Sequence, residues 1–431
     1  MTRTINRRTF SKQAAALGAL AALPASASAL GSNDRVRLGF IGVGNRGDQL
    51  LDAFLVHKDA EVVALCDVYQ PYLDAALKKV GGSPRLHRDY RRLLEQKDID
   101  AVVVATPDHT HAVATVAALQ AGKHVYCEKP LTHRVDEARI VAEMAAKHRR
   151  VTQMGTQIHA GDNYRRVVEL VQAGAIGTVK EVHVWCGASR GGGERPKDTP
   201  PVPAGLHWDL WLGPAPERPY HPTYVPFYWR HWWDFGGGTL ADMACHHTDL
   251  PFWALKLRSP TTVAAEGPPP HPETAARELT VHYEYPARAE LPPVKLTWYD
   301  GGRRPPQFAE GLLPRWGDGT LFVGSKGMLL ADYGKHLLLP QKQFEGFSRP
   351  KPTIPSSIGH HKEWVEACKT GGTTTCNFDY AGTLTEAALL GNVSYRLGRP
   401  LTWDAKNLRA VNEPEADRFL RHHYRAGWKL V

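Results

Sequence analysis

Residues Val36 to Asp67 read as a strand, a glycine-rich turn, a helix and a second strand that ends in a carboxylate. The turn is Gly42-Val43-Gly44-Asn45-Arg46-Gly47. Leu38-Gly39-Phe40-Ile41 precedes it, and Val62-Val63-Ala64-Leu65-Cys66-Asp67 follows one helix later. This order confines the segment to a parallel βαβ unit whose first turn faces an anion. Gly42 permits the tight turn, Gly44 lets the backbone approach a pyrophosphate, and Gly47 lets helix and strand pack closely. Unpaired N–H groups and the dipole at the helix start favour negative charge there. Asp67 stands where a carboxylate accepts hydrogen bonds from the adenosine ribose. Val68 and Tyr69 follow it rather than arginine, which favours NAD over its 2′-phosphorylated relative.

From Val36 to about Arg150 short apolar strands alternate with amphipathic helices, the pattern of a doubly wound parallel sheet. Strands are expected at Val36–Ile41, Glu61–Cys66, Ala101–Ala105 and His124–Cys127, and a linking strand at Val151–Met154. Ligands in such sheets bind beyond the carboxyl ends of the strands. The loops Thr106-Pro107-Asp108-His109-Thr110-His111 and Glu128-Lys129-Pro130 are therefore the expected walls of a site. Beyond residue 150 a helix near Asn163–Ala173 and a strand at Val179–Cys186 precede a loop rich in Gly, Pro and Trp. A helix over Thr239–Leu255 follows, then strands near Glu278–Tyr285, Val294–Tyr299, Thr320–Gly324 and Gly327–Tyr333, which suggest an antiparallel or mixed sheet. The organisation expected is a nucleotide domain over 34–150, a substrate and oligomerisation domain over 151–357, and C-terminal helices and tail over 358–431 packing back near the first.

The first 29 residues read as an address. Asn6-Arg7-Arg8-Thr9-Phe10-Ser11-Lys12 carries a twin arginine, an apolar stretch follows, and Ala27-Ser28-Ala29 offers a small-residue cleavage site. The apolar stretch is too short to span a bilayer, which takes about 20 residues. Export of a folded protein to the periplasm or beyond is the expectation. Removing Met1–Ala29 lowers the formal charge from +9 to about +5, unremarkable for a soluble chain. No basic run interleaved with aromatics points to nucleic acid, and no later segment could cross a membrane. Six cysteines without a CxxC pair read as buried thiols rather than a disulfide framework.

Three further segments carry chemistry. Cys127-Glu128-Lys129-Pro130 follows a strand on the nucleotide side, and an ammonium there could steady an oxygen that gains charge during hydride transfer; a solvated turn lysine is the plain alternative. In Gly236-Gly237-Gly238-Thr239-Leu240-Ala241-Asp242-Met243-Ala244-Cys245-His246-His247-Thr248-Asp249, helical spacing puts Asp242, His246 and Asp249 on one face. A carboxylate beside an imidazole raises its basicity, which makes His246 a candidate proton acceptor; an ordinary polar helix face with His246 as a satisfied structural histidine is the plain alternative. The three glycines would let the helix start press against a ligand. A zinc site from Asp242, His246, His247 and Asp249 has suitable ligand types but no HExxH pattern, so no metal is expected. The aromatic segment from His207-Trp208-Asp209 to Trp232-Trp233-Asp234 suits a polyhydroxylated ligand, whose CH faces stack on rings, and equally suits a loop buried by its own aromatics. Cofactor contacts are expected from Gly42, Gly44, Asn45, Arg46, Gly47, Asp67, Thr106, Pro107, His109, His111, Glu128, Lys129 and Gln157. Substrate contacts are expected from Arg165, Trp208, Arg230, His231 and His247.

These segments together resemble the glucose–fructose oxidoreductase and inositol dehydrogenase (Gfo/Idh/MocA) family. The resemblance runs from Val36 to about Arg399. It rests on the "GFIGVGNRG" turn, the "TPDHTH" loop, the "CEKP" turn and the "GGGTLADMACHHTDL" helix. It implies a Rossmann domain followed by an α/β domain on a predominantly antiparallel sheet, whose open face makes homo-oligomer contacts. The family's catalytic lysine falls on Lys129, and its Asp and His on Asp242 and His246; Ala244 stands where relatives commonly have Gly. The "HWDLWLGPAPERPY" stretch is similar to exported members. The function implied is an NAD(P)-dependent oxidoreductase acting on a CH–OH of a sugar or cyclitol. Because export removes it from free NAD, the cofactor is expected to be tightly held and regenerated in place. The alternative is a redox-neutral NAD-dependent glycosidase or lyase, although the Glu-Lys-Pro turn sets this chain apart from the best-known exported glycosidases of the family. A non-catalytic carbohydrate-binding protein is the remaining reading.

Overall fold

The computed structural model describes residues 35–421 and 423–430; the leader expected at 1–29 lies outside them. Six short strands form a parallel sheet: β1 (Val36–Ile41), β2 (Ala60–Cys66), β3 (Arg85–His87), β4 (Ala101–Val104), β5 (His124–Cys127) and β6 (Thr152–Met154). Their spatial order is β3-β2-β1-β4-β5-β6, and every pairing is parallel. The order reverses between β1 and β4, so a crevice opens there beyond the carboxyl ends. Helices α1 (Arg46–Leu55), α2 (Gln70–Val80), α3 (Asp108–Gln120) and α4 (Val135–His148) fill the crossovers. In α1 the buried residues are Gly47, Leu50, Leu51 and Phe54, one apolar stripe at helical spacing. The linking strand expected at Val151–Met154 is the sixth strand of this sheet. β3 escaped the sequence pattern because its residues are mostly exposed.

After α5 (Asp162–Gln172) and β7 (Val179–Trp185) come α6 (Gly238–His247) and α7 (Asp249–Leu255). The second sheet adds β8 (Thr262–Glu266), β9 (Thr280–Tyr285), β10 (Val294–Tyr299), β11 (Gly319–Gly324), β12 (Gly327–Ala331) and β13 (His336–Leu339). Two late strands, β14 (Leu401–Asp404) and β15 (Arg409–Ala410), complete it in the order β13-β12-β11-β7-β10-β9-β8-β14-β15. Only β7 and β10 pair in parallel. This is the expected fold class: a doubly wound parallel sheet with a larger, mostly antiparallel one.

A single helix over Thr239–Leu255 does not form. Pro251 has no N–H for the His247 carbonyl four residues back, and that carbonyl accepts from the Thr320 hydroxyl at 3.3 Å instead. Helical hydrogen bonds still run through Thr248, from its amide to the Ala244 carbonyl and from the Phe252 amide to its own carbonyl, so the two helices abut there. Between the sheets runs α9 (Phe378–Leu397), which packs on α4, α6 and β8. It starts where the Asn377 side chain accepts from the Asp379 and Tyr380 amides. The preceding helix, α8 (His360–Thr370), buries Trp364 and Val365 in the core of the first sheet, and Lys362 and Lys369 both reach Asp59.

The inner face of the second sheet presents Val182, Val281, Tyr283, Leu296 and Phe322 to the helices. Its outer face is not fully open. Phe308, Leu313 and Trp316, from the connection before β11, cover Trp185, Leu321 and Leu330. The uncovered part, near β8 and β9, carries Glu266, His282, Glu284 and Lys295.

Candidate active site

The crevice between β1 and β4 opens into a cleft of about 370 Å³. One wall is the glycine turn. Gly42 has φ +85°, and a Cβ there would lie 2.6 Å from the Ala105 carbonyl oxygen; at Gly47 it would lie 2.1 Å from the Gly42 oxygen. Gly42 therefore makes the tight turn expected of it, and Gly47 the close packing of helix on strand. Gly44 differs: a Cβ would lie 2.3 Å from the Tyr72 ring, so its immediate neighbour is an aromatic side chain of α2. Asn45 is held at φ +40° and offers no side-chain cap to α1. The Gly47 amide donates to the Gly44 carbonyl at 2.8 Å, and among the described residues no side chain caps the other first-turn amides, which leaves them for a ligand. The Thr106 hydroxyl, in the loop opposite, is buried without a partner.

Asp67 closes the second strand as predicted. Its carboxylate accepts from the Val43 and Tyr69 amides, each at 2.9 Å. Burial pushes this carboxyl up to about 6 despite those bonds. Arg46, at the other end of the turn, donates to Glu128 at 2.8 Å, and Gln157 donates to the same oxygen at 3.1 Å. Glu128 is almost fully buried, at 4% side-chain exposure. Glu128 and Gln157 thus hold Arg46 in place and do not themselves wall the cleft, whereas Gly42, Arg46, Asp67 and Pro107 do.

Two histidines expected at the cofactor have other work. Both ring nitrogens of His111 meet carbonyls, Pro130 at 2.7 Å and Thr106 at 2.8 Å, which ties the two catalytic-side loops together. His109 faces the Trp211 carbonyl at 2.9 Å and the Phe235 carbonyl at 3.4 Å. Burial lowers its pKa to about 4, so it is a neutral pin between the first sheet and the aromatic segment.

That segment forms the roof of the cleft. Trp211, Tyr224, Trp229, Trp232 and Phe235 make a small core of their own, and Arg218 pairs with Asp234 inside it. Leu206, Leu210, Trp211, Tyr220 and Trp229 face the cleft. The roof is stitched to the loop after β2: Gln70 donates to the Gly205 carbonyl at 3.0 Å, and His207 to the Val68 carbonyl at 2.8 Å. Trp208, expected at the substrate, stacks on Trp211 at 4.8 Å and donates to the Arg218 carbonyl; it builds the roof.

Just beyond Arg46 and Arg230, both of which wall the cleft, lie Lys129, Asp242 and His246, which do not. Lys129 Nζ donates to the Asp242 carboxylate at 2.6 Å and to its main-chain carbonyl at 2.9 Å. Arg190 Nε binds the other carboxylate oxygen, and Arg230 Nε reaches the first at 3.2 Å. The Asp242 side chain is 7% exposed. Burial alone would raise its pKa, but Lys129, Arg230 and Arg190 hold it well below the usual carboxylate range. Asp242 therefore does not orient His246, as its helical spacing had suggested; its oxygens are taken by three cations. The glycines before α6 explain how two of these arrive. A Cβ on Gly236 would lie 2.8 Å from the Arg230 Cα, and one on Gly238 would lie 3.0 Å from the Arg190 carbonyl. They admit protein backbone rather than a ligand.

His246 retains an imidazole with no hydrogen-bond partner among the described residues. Burial and then the Lys129 charge push its pKa well below the ordinary value, so the ring is neutral. Asp108, at the start of α3, is also buried here, and burial pushes it up to about 8. Sequence pattern drew attention to its loop but not to this residue, and nothing in the "SRGGGER" stretch singled out Arg190.

The remaining predicted residues scatter. Asp249 binds His159 at 2.9 Å and Tyr380 at 2.6 Å. His247 stacks on Tyr333 at 4.9 Å against the second sheet, away from His246. Arg165 donates to the Pro355 carbonyl at 2.8 Å and lies over Trp253; it does not wall the cleft. His231 is half-buried near Arg190 and Arg230, its pKa lowered by burial first and then by those charges. All six cysteines are buried and free.

Two family models match the chain: the oxidoreductase family with an NAD-binding Rossmann fold over residues 36–156, and that family's C-terminal alpha/beta domain over residues 168–291. The chain belongs to the Gfo/Idh/MocA oxidoreductase family. Within it, the chain is 34% identical over 153 residues to a glycosyl hydrolase family 109 protein of Streptomyces filamentosus, covering 34% of this chain and 31% of the relative. It is 32% identical over 150 residues to an inositol 2-dehydrogenase of Salmonella paratyphi B, covering 34% of this chain and 45% of the relative. The matched stretch thus spans less than half of these curated relatives. Among solved structures, the WlbA dehydrogenase of Bordetella pertussis in complex with NADH and UDP-GlcNAcA shares the fold, with a TM-score of 0.62 at 19% identity over 86% of this chain and 99% of that one.

The residues present suit a dinucleotide. Glycines sit where a side chain would clash, the first turn of α1 has no side-chain cap among the described residues, the Thr106 hydroxyl is buried without a partner, and Asp67 closes the second strand with its carboxylate. A pyrophosphate would meet the uncapped amides and the hydroxyl, and the carboxylate, which already accepts from Val43 and Tyr69, keeps further lone pairs for a ribose.

Proposed function

We propose that this family member oxidises a secondary hydroxyl of a sugar, sugar derivative or cyclitol. NAD would lie along the glycine turn with its ribose at Asp67 and its phosphates at the start of α1. When bound, it supplies a hydride acceptor for the carbinol carbon. The observation that carries the reading is the meeting of Lys129, Asp242 and His246 beside the end of the cleft marked by Arg46.

In this reading, the neutral imidazole of His246 removes the hydroxyl proton, because its nitrogens are free of protein partners and its low pKa keeps it unprotonated. Lys129, fixed by Asp242, donates to the same oxygen as charge builds on it. Arg190 and Arg230 add to a surplus of positive charge that favours the oxyanion in a site screened from water. Asp242 is a positioning residue for Lys129. The roof excludes solvent and supplies aromatic surface.

The proposal includes export through the twin-arginine leader, and a cofactor that stays bound between turnovers. The stitched roof over the nucleotide turn supports the second point. It also includes association of copies through the outer face of the second sheet on its β8–β9 side. A redox-neutral glycosidase is the second reading, supported by the name of the Streptomyces relative and by the covered cleft, which would let hydride return within one cycle. Incubating the purified protein with a panel of free sugars, cyclitols and aryl glycosides decides between them. Net reduction of the bound nucleotide supports the oxidoreductase, and release of the aryl group without it supports the glycosidase. No change with any compound, despite bound nucleotide, would count against both.

A further inference from the structure

Below the roof, the end of the cleft near Asp67 is completed by a residue from the far C-terminus. Trp428 walls the same cleft as Gly42 and Asp67, beside Arg88, Asp89 and Tyr90 of the loop after β3. The tail that brings it there has no regular structure and is anchored on both sides of the indole. Arg425 donates from its amide to the Pro214 carbonyl at 3.1 Å, from Nε to the Gly213 carbonyl at 3.1 Å, and from its outer nitrogens to Asp209. Tyr424 donates to Glu137 at 2.6 Å, and Leu430 is buried in the main core. The Arg91 guanidinium lies 5.0 Å from the indole centroid, and the Tyr90 ring 6.3 Å from it. The tail therefore bridges the roof, through Asp209 to Pro214, and the loop after β3, across the cleft.

Trp428 is partly buried: it packs against the edge of the main core and at the same time gives part of its indole to the wall of the cleft. The ribose carboxylate fixes which part of a dinucleotide lies beside it: the adenine is joined to the ribose at Asp67, and the Arg91 guanidinium covers one face of the indole, which leaves the other for a base. We propose that residues 424–430 form a clasp on the adenosine end of the cofactor cleft, with Trp428 covering the adenine, and that release of the nucleotide requires the clasp to lift. The inference rests on the dinucleotide reading of the cleft and adds the element that retains it. An exposed base–aromatic stack corresponds to roughly a five- to hundredfold change in dissociation constant.

The experiment uses the full chain loaded with NAD and challenged with excess isotopically labelled NAD, release being read by mass spectrometry of the bound nucleotide. Trp428→Ala should exchange roughly ten- to hundredfold faster than the parent, and Trp428→Phe should recover most of the difference. Arg425→Ala, which unpins the tail without touching the cleft, should also speed exchange, and it serves if Trp428→Ala does not fold. Parent-like exchange in every folded variant would overturn the clasp while leaving the dinucleotide reading intact. A parent protein that takes up no NAD at all would overturn both.

Discussion

Lys129 and His246 carry the proposed chemistry, and Asp242 determines how they meet. Removing the Lys129 ammonium should cost about two to three orders of magnitude in kcat, as losing an oxyanion donor does. Removing the His246 imidazole should cost about 10² to 10⁴. Both are measured by steady-state kinetics on proteins with unchanged melting curves, and full turnover in either variant would remove the assignment. Asp242→Ala has a different signature: it strands three cations around a buried void, so it should lower stability by about 3–5 kcal/mol, visible as a fall in Tm. Asp67 predicts a pH dependence. Burial raises its pKa to about 6 in the free protein, whereas accepting from ribose hydroxyls requires the carboxylate, so the complex titrates lower. Affinity for NAD should be full above about pH 6 and fall as pH drops below it, with Asp67→Asn weak and flat. Calorimetric titration across pH 5 to 8 checks this. Much of this residue-level site was legible, because Lys129, Asp242, His246 and Asp67 each sit in a motif with local spacing. Arg190 and Asp108 were not, since a cation delivered by a loop and a carboxylate buried at a helix start leave no periodic trace.

At the level of elements, glycine positions decided most outcomes. The βαβ start was legible because strand, turn and helix signals coincide within about thirty residues. A Cβ at Gly47 would overlap the Gly42 carbonyl at 2.1 Å, so Gly47→Ala should force α1 away from β1. It should cost about 1–3 kcal/mol, as overpacking does, and should weaken NAD binding more than it lowers Tm. Helical spacing placed Asp242, His246 and Asp249 on one face, but it did not gather them into one cluster: three cations claim Asp242, and His159 and Tyr380 claim Asp249. The glycines of the "GGGTLADM" stretch looked like ligand clearance and proved to be clearance for protein: Gly236 for the Arg230 backbone, Gly237 for Ala241 and Asn392, and Gly238 for Ala275 and the Arg190 carbonyl. Motif reading detects that something approaches closely but not what. The histidines of "TPDHTH" failed for a related reason: both are buried among main-chain carbonyls, His109 beside Trp211 and Phe235 and His111 between Thr106 of its own loop and Pro130, and neither faces the cleft.

Across the whole molecule, the nucleotide cleft is built by three parts of the chain far apart in sequence: the first sheet, the aromatic roof and the C-terminal tail. Periodicity revealed the first; the other two are irregular backbone whose positions depend on tertiary contacts such as His109 to Trp211 and Arg425 to Asp209. The outer face of the second sheet shows a similar split. Its antiparallel character was anticipated, but its partial cover by Phe308, Leu313 and Trp316 depends on a connection without pattern. Light scattering on the purified protein should give two or more chains per particle if the β8–β9 side is an interface, and a monomer would exclude it. The central claim is that one cleft joins the nucleotide turn to the Lys129–His246 pair. The most direct test is an experimental structure of the NAD complex. The account predicts the nicotinamide beyond Arg46, with its reactive carbon facing a space bounded by the Lys129 ammonium and the His246 imidazole. A nicotinamide pointing elsewhere, or a wall of protein between it and that pair, would contradict it.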